Sequence, residues 1–220
     1  MNQELIHVYF MPGMAASSSI FEYIKLPEGK FKMHYLEWVI PNREETIDVY
    51  AKQMIKKINH DNVVLIGVSF GGILVQEMSK HIKLRKLIII SSVKTKHELP
   101  KRMKLSRKIK LYKLVPTYLM SNIEVLAKYV FGKTIKKRLD LYKKYLSVRD
   151  KRYLDWAIKQ VVCWDQDCPI PNVIHIHGAR DKVFPYHHIK GCITVKGGTH
   201  IMIINKYKWF NENLPQIILA

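Results

Sequence analysis

The sequence predicts an α/β fold: a mostly parallel sheet of about six strands with helices on both faces, interrupted by a helical cap. Three observations predict it. Runs such as Val63–Ile66 and Leu87–Ile90 are apolar at every position, as strands covered on both faces must be. Stretches of helical period alternate with these runs up to residue 92. From there to residue 165 the helical period continues without a strand, and strand patterning then resumes. The chain therefore divides into a core of residues 1–92 and 166–220 and a cap of residues 93–165.

Leu5 to Phe10 is apolar with β-branched and aromatic content, and Pro12-Gly13 stops it; this predicts a buried strand and a turn. Phe31 to Val39 alternates and predicts a second strand. From Thr46, residues Ile47, Ala51, Met54, Ile55 and Ile58 recur at intervals of three and four, one face of a helix. The Val63 strand runs straight into Gly67-Val68-Ser69-Phe70-Gly71, and Ile73, Leu74, Glu77 and Met78 continue as a helix. Leu87–Ile90 is the next strand and ends at Ser91-Ser92. In the cap, Ser121 and Glu124 form a capping box ahead of Ile123, Leu126, Ala127, Val130 and Phe131, with Gly132 as a stop. Ile135, Leu139, Tyr142 and Leu146 mark a second cap helix. Leu154, Ala157, Ile158, Val161 and Val162 mark a third, starting near Asp150. Val173–Gly178 and Cys192–Val195 then predict strands, and a helix from about Lys206 to Ile218 follows.

A chain of 220 residues, 48% hydrophobic, suits one domain with a sizeable core. No apolar run reaches the roughly 18 residues that span a bilayer, and the expectation is a cytoplasmic protein. Cys163, Cys168 and Cys192 are odd in number and have no Cys or His pair spaced for zinc, so reduced thiols, no metal site and no cofactor are expected. The formal charge is +19 and is unevenly spread. Between Lys94 and Lys159 there are 20 Lys and Arg against 5 Asp and Glu, and the rest of the chain carries 17 against 13. The cap thus holds most of the field and should attract an anionic partner.

Ser69 is the candidate nucleophile. Glycines two residues away on either side permit a turn tight enough to lift its hydroxyl clear of the sheet. A serine hydroxyl needs a base in reach and a group to orient that base. His200, in a loop just after the last strand, is the base best placed to reach back, whereas His187 and His188 sit in a short helix and His175 and His177 alternate along a strand. Asp181 follows the strand ending at Gly178, so it lies at the carboxyl edge where open α/β sheets build their sites. Asp165 and Asp167 precede that strand.

Taken together, the Gly67–Gly71 motif, the order Ser69, Asp181, His200 and the cap after the next strand resemble the α/β-hydrolase superfamily over nearly the whole chain. The resemblance implies a Ser-His-Asp triad and hydrolysis of an ester, thioester or amide. It also implies an oxyanion hole from the backbone N–H groups of Met14 and Phe70, with Pro12 standing where relatives commonly have histidine. Against that superfamily, the expectation is a sheet of about six strands without the hairpin that usually opens the fold. In such enzymes the cap covers the pocket, and Trp156 and Trp164, near its return to the sheet, are candidate substrate-binding residues. In size, in the Gly13 to Phe21 spacing and in its basic cap, the chain resembles the carrier-protein methyl esterases of that superfamily. An acidic carrier protein or an anionic membrane surface is therefore an expected partner. The competing expectation is a non-catalytic module that holds a polyanion or membrane through the cap. Nucleic acid is disfavoured, because the basic segment has no binding motif and needs its apolar face for packing.

Overall fold

The computed structural model describes residues 5–114 and 144–220. Its sheet has six strands, all parallel: β1 (Ile6–Met11), β2 (Phe31–Tyr35), β3 (Val63–Val68), β4 (Leu84–Ile90), β5 (Ile174–Gly178) and β6 (Ile193–Val195), in the order β2-β1-β3-β4-β5-β6. Helices cover both faces. Every residue of β3 is buried, as its unbroken apolar sequence requires. Strand β2 is shorter than the alternation from Phe31 to Val39 predicts. Leu36 N–H still donates to Phe10 O at 2.9 Å, but the residues from Leu36 to Pro41 are irregular.

The described helices are α1 (Ile47–Ile55), α2 (Phe70–Ser79), α3 (Lys101–Lys108), α4 (Lys151–Cys163), α5 (Met202–Asn205) and α6 (Tyr207–Leu219). Two begin on side-chain caps that satisfy an otherwise orphaned amide: Thr46 Oγ1 accepts Val49 N–H, and Asp150 Oδ1 accepts Tyr153 N–H. Helix α1 buries Ala51 and Met54, the face that the spacing of three and four predicts. Helix α4 buries Tyr153, Leu154, Trp156, Ala157, Val161 and Val162. Its Tyr153 and Trp156 rings pack on Trp38, Tyr50 and Phe70, so α4 shares the main core. The Ser121–Glu124 capping box, the helices predicted over Ile123–Phe131 and Ile135–Tyr142, and the cluster Lys136, Lys137, Arg138 and Lys143 lie outside the described residues. Leu146, placed by its spacing on the second of those helices, is in irregular chain and buried.

Strand order reverses between β1 and β3. The chain moves outward from β1 to β2 and then crosses back to build the other side. Met11 and Gly67 are register partners at the carboxyl ends of those two strands, and the loops leaving them diverge. Such a crevice is where open α/β sheets bind ligands.

Candidate active site

Ser69 sits between β3 and α2 with φ 54° and ψ −117°, left-handed backbone that costs a non-glycine residue of order 1–3 kcal/mol. The surroundings hold it there. Ser69 N–H donates to Ile90 O at 2.9 Å, and the buried Ser92 hydroxyl donates to Ser69 O at 2.7 Å. The flanking glycines are required by space: a Cβ on Gly67 would lie 2.3 Å from Gly71 O, and one on Gly71 would lie 2.3 Å from Pro12 O. Strand, turn and helix can approach this closely only without side chains at those positions.

Two loops at the same edge complete the arrangement. Asp181 follows β5 and His200 follows β6. His200 Nε2 is 2.9 Å from Ser69 Oγ, and His200 Nδ1 is 2.8 Å from Asp181 Oδ2. With Nδ1–H donated to the carboxylate, Nε2 faces the serine as an acceptor. Asp181 Oδ1 accepts the N–H groups of Val183 and Phe184 at 2.8 and 3.0 Å. Burial works to raise the Asp181 carboxyl, but His200, His177 and the Phe184 amide outweigh it and hold the group below the ordinary aspartate range. The structure thus brings together all three residues that the motif and chain order predict.

On the oxyanion side, Gly13 approaches so closely that a Cβ there would lie 3.4 Å from Ser69 Cβ. Among the described residues, neither Met14 N–H nor Phe70 N–H donates to another protein group. Phe70 is the first residue of α2, whose amino end favours negative charge. The turn carrying Met14 is fixed by two residues without an obvious sequence signal: Trp38 Nε1–H donates to Gly13 O at 2.9 Å, and the Tyr153 hydroxyl accepts Ala15 N–H at 3.3 Å. Ser92, Trp38 and Tyr153 act through backbone groups that only the fold brings near, so no motif marks them.

A cavity of about 110 Å³ opens at Ser69. Ser69 and His200 are its polar end, and Met103, Leu146, Val161, Phe184 and Ile204 are among its apolar walls. Trp156 and Trp164 do not line it. Trp156 is buried with its indole N–H on Glu45 O at 2.7 Å, and Trp164 donates to Glu77 Oε1 at 2.8 Å. Both predicted substrate contacts are instead core residues, because each indole N–H finds a buried acceptor on the inner side of its element. Tyr145 and Ile158, also from the 93–165 segment, are among the residues that do reach the cavity.

No protein-family model matches the sequence, and no curated protein matches it. Solved structures do. The fold is similar to that of a hydrolase from Pseudomonas aeruginosa PA01, with a TM-score of 0.74 at 15% identity over 99% of this chain and 91% of the other. It is also similar to an esterase from Exiguobacterium antarcticum, with 0.71 at 18% identity over 100% and 94%. A bromoperoxidase from Bacillus anthracis gives 0.66 at 17% identity over 99% and 93%. With the six parallel strands and the sharp strand-to-helix turn at Ser69, these likenesses show that the chain has the α/β-hydrolase fold.

Proposed function

We propose that the protein is a serine hydrolase acting on a carboxylic ester or thioester with a short apolar acyl group. The observation that carries this reading is the continuous hydrogen-bonded line from Asp181 through His200 to Ser69 Oγ, at the mouth of an apolar cavity. His200 Nε2 takes the Ser69 proton as Oγ attacks the acyl carbon, and Asp181 stabilises the imidazolium that forms. The carbonyl oxygen becomes an oxyanion and receives the Met14 and Phe70 N–H groups, each such donor contributing roughly 3 kcal/mol. His200 returns the proton to the leaving group. Water, activated by the same imidazole, then cleaves the acyl-serine ester and regenerates Ser69.

The cavity supports a short acyl group. Its volume of about 110 Å³ is below the roughly 150 Å³ of an apolar cavity that holds benzene. A fluorophosphonate probe tests the nucleophile, since only an activated serine reacts, and p-nitrophenyl esters of increasing length test the pocket. Labelling of Ser69 together with faster turnover of butyrate than of octanoate supports the reading. An unlabelled Ser69 in folded protein overturns it.

A further inference from the structure

Three histidines far apart in sequence meet on one face of the sheet. His7 lies on β1 and His34 on β2. The parallel register pairs His7 with Lys32 and Tyr9 with His34, so the pleat points these four side chains the same way. His60 enters from the loop between α1 and β3. His7 Nδ1 and His34 Nε2 are 2.8 Å apart, the His7 and His60 rings stack with centroids 3.5 Å apart, and one ligand nitrogen from each of the three lies within 4.8 Å of the others. All three residues are half-buried, and none lines the cavity at Ser69.

Imidazoles this close cannot all be cationic. Neutral rings offer lone pairs, and three imidazoles that bring one nitrogen each within 4.8 Å of the others make a nitrogen donor set suited to borderline divalent ions. Tyr9 adds a further element of such a site. Its buried hydroxyl accepts Asn59 N–H at 3.2 Å and lies 2.7 Å from His60 Nδ1, the kind of outer partner that orients a ligating ring.

We propose that His7, His34 and His60 form a binding site for a divalent transition-metal ion, Zn²⁺ in the first instance, with a fourth position left to water. Tetrahedral ligands at roughly 2.0–2.1 Å from zinc stand roughly 3.3 Å apart. Binding therefore puts the metal where His7 and His34 now share a proton, that proton moving to the other nitrogen of the ring that holds it; it also spreads the two nitrogens by about half an ångström and tilts His60 off its stack. The absence of cysteine pairs spaced for zinc does not bear on this cluster, whose ligands are 26 and 27 residues apart and form no motif. The ion would tie the edge strand β2 and the α1–β3 loop to β1, stabilising the folded chain by mass action. Exposed Lys32 is the neighbouring cation that opposes it.

The test uses the full chain, without an affinity tag and stripped by chelator, titrated with Zn²⁺ in a calorimeter and melted with and without the ion. One ion per chain and a rise in Tm are expected, together with the intense visible bands of a tetrahedral site when Co²⁺ is used. His34→Gln and His60→Gln, checked by circular dichroism, should each weaken binding roughly a hundredfold and Tyr9→Phe roughly tenfold. Lys32→Gln should tighten it, and Ser69→Ala should leave it unchanged. Failure of the wild type to take up Zn²⁺ overturns the proposal. Equal uptake by the His34→Gln, His60→Gln double variant also overturns it, since the ion would then be held elsewhere, as at the adjacent His187 and His188.

Discussion

Ser69, His200 and Asp181 are joined by two hydrogen bonds, so each should be separately indispensable and jointly non-additive. Ser69→Ala should remove fluorophosphonate labelling and lower kcat for a short p-nitrophenyl ester by at least roughly a thousandfold while Tm holds. His200→Ala should be as damaging; an effect of that size from His187→Ala instead would displace His200 as the base. Asp181 also carries a dependence on pH. Its carboxyl titrates lower in the folded chain than in the unfolded one, so the stability it contributes is complete above the unfolded value, about 4, and is lost as pH falls through the folded one. The Tm difference between wild type and Asp181→Asn should therefore shrink below about pH 4, and a constant difference down to pH 2 would contradict the ionised pair. These three residues were legible in the sequence because the motif and chain order mark them. Ser92 and Trp38 were not. Each bonds to a main-chain carbonyl of the site, and any residue can supply a carbonyl, so their own sequence neighbourhoods hold no trace of the contact.

At the level of elements, the turn from β3 into α2 is the most constrained. Gly71→Ala sets a methyl group 2.3 Å from Pro12 O and 2.6 Å from Met11 O, both backbone atoms of the oxyanion turn. The expected cost is about 1–3 kcal/mol, with a loss of kcat beyond that of an equally destabilising change elsewhere in the core; denaturant melts and kinetics on one preparation measure both. Strand β5 contributes a second effect of pH. His175 Nε2 and His177 Nδ1 are 3.0 Å apart, His177 Nε2 bonds to Phe184 O at 2.9 Å, and both imidazoles are buried away from water. Burial, ahead of other causes, holds both below the ordinary histidine range. The unfolded chain then takes up protons that the folded chain refuses, and stability should fall as pH drops below about 6.5. His175→Gln should flatten the fall in Tm between pH 7 and pH 5. Among the described residues, α3 was not predicted, whereas the six strands and helices α1, α2, α4 and α6 followed from hydrophobic period. The end of β2 did not, because the residues after Tyr35 go on alternating after the chain has left its neighbour: Leu36 and Trp38 are buried against other partners, while Val39 is exposed. The indoles of Trp156 and Trp164 were misplaced for a related reason: period gives the buried face of a helix but not whether that face meets a cavity or solid core.

For the molecule as a whole, the uneven charge has a kinetic consequence. Twenty basic residues against five acidic between Lys94 and Lys159 should speed the approach of an anionic carrier protein or membrane surface. The Debye length of about 10 Å at 0.1 M salt means that added salt screens this attraction. Raising salt to about 0.5 M should lower kcat/KM several-fold for an acyl group presented on an acidic carrier protein and leave a neutral ester nearly unchanged. Equal responses of the two substrates would reduce the charge to a solvated surface. Charge totals were readable from composition, whereas residues 115–143, with six of those basic residues, lie outside the described residues. The distribution of the catalytic line along the chain has a different consequence, for synthesis. Ser69 and His200 are 131 positions apart, yet the bonds that brace the serine turn come from Ile90 and Ser92. A nascent chain that has released β1 to β4 from the ribosome can thus shape the nucleophile's turn while its base is still untranslated. Turnover by the proposed hydrolase would then appear only after the β5 and β6 loops dock, which makes it a reporter of the last step of folding rather than of the first.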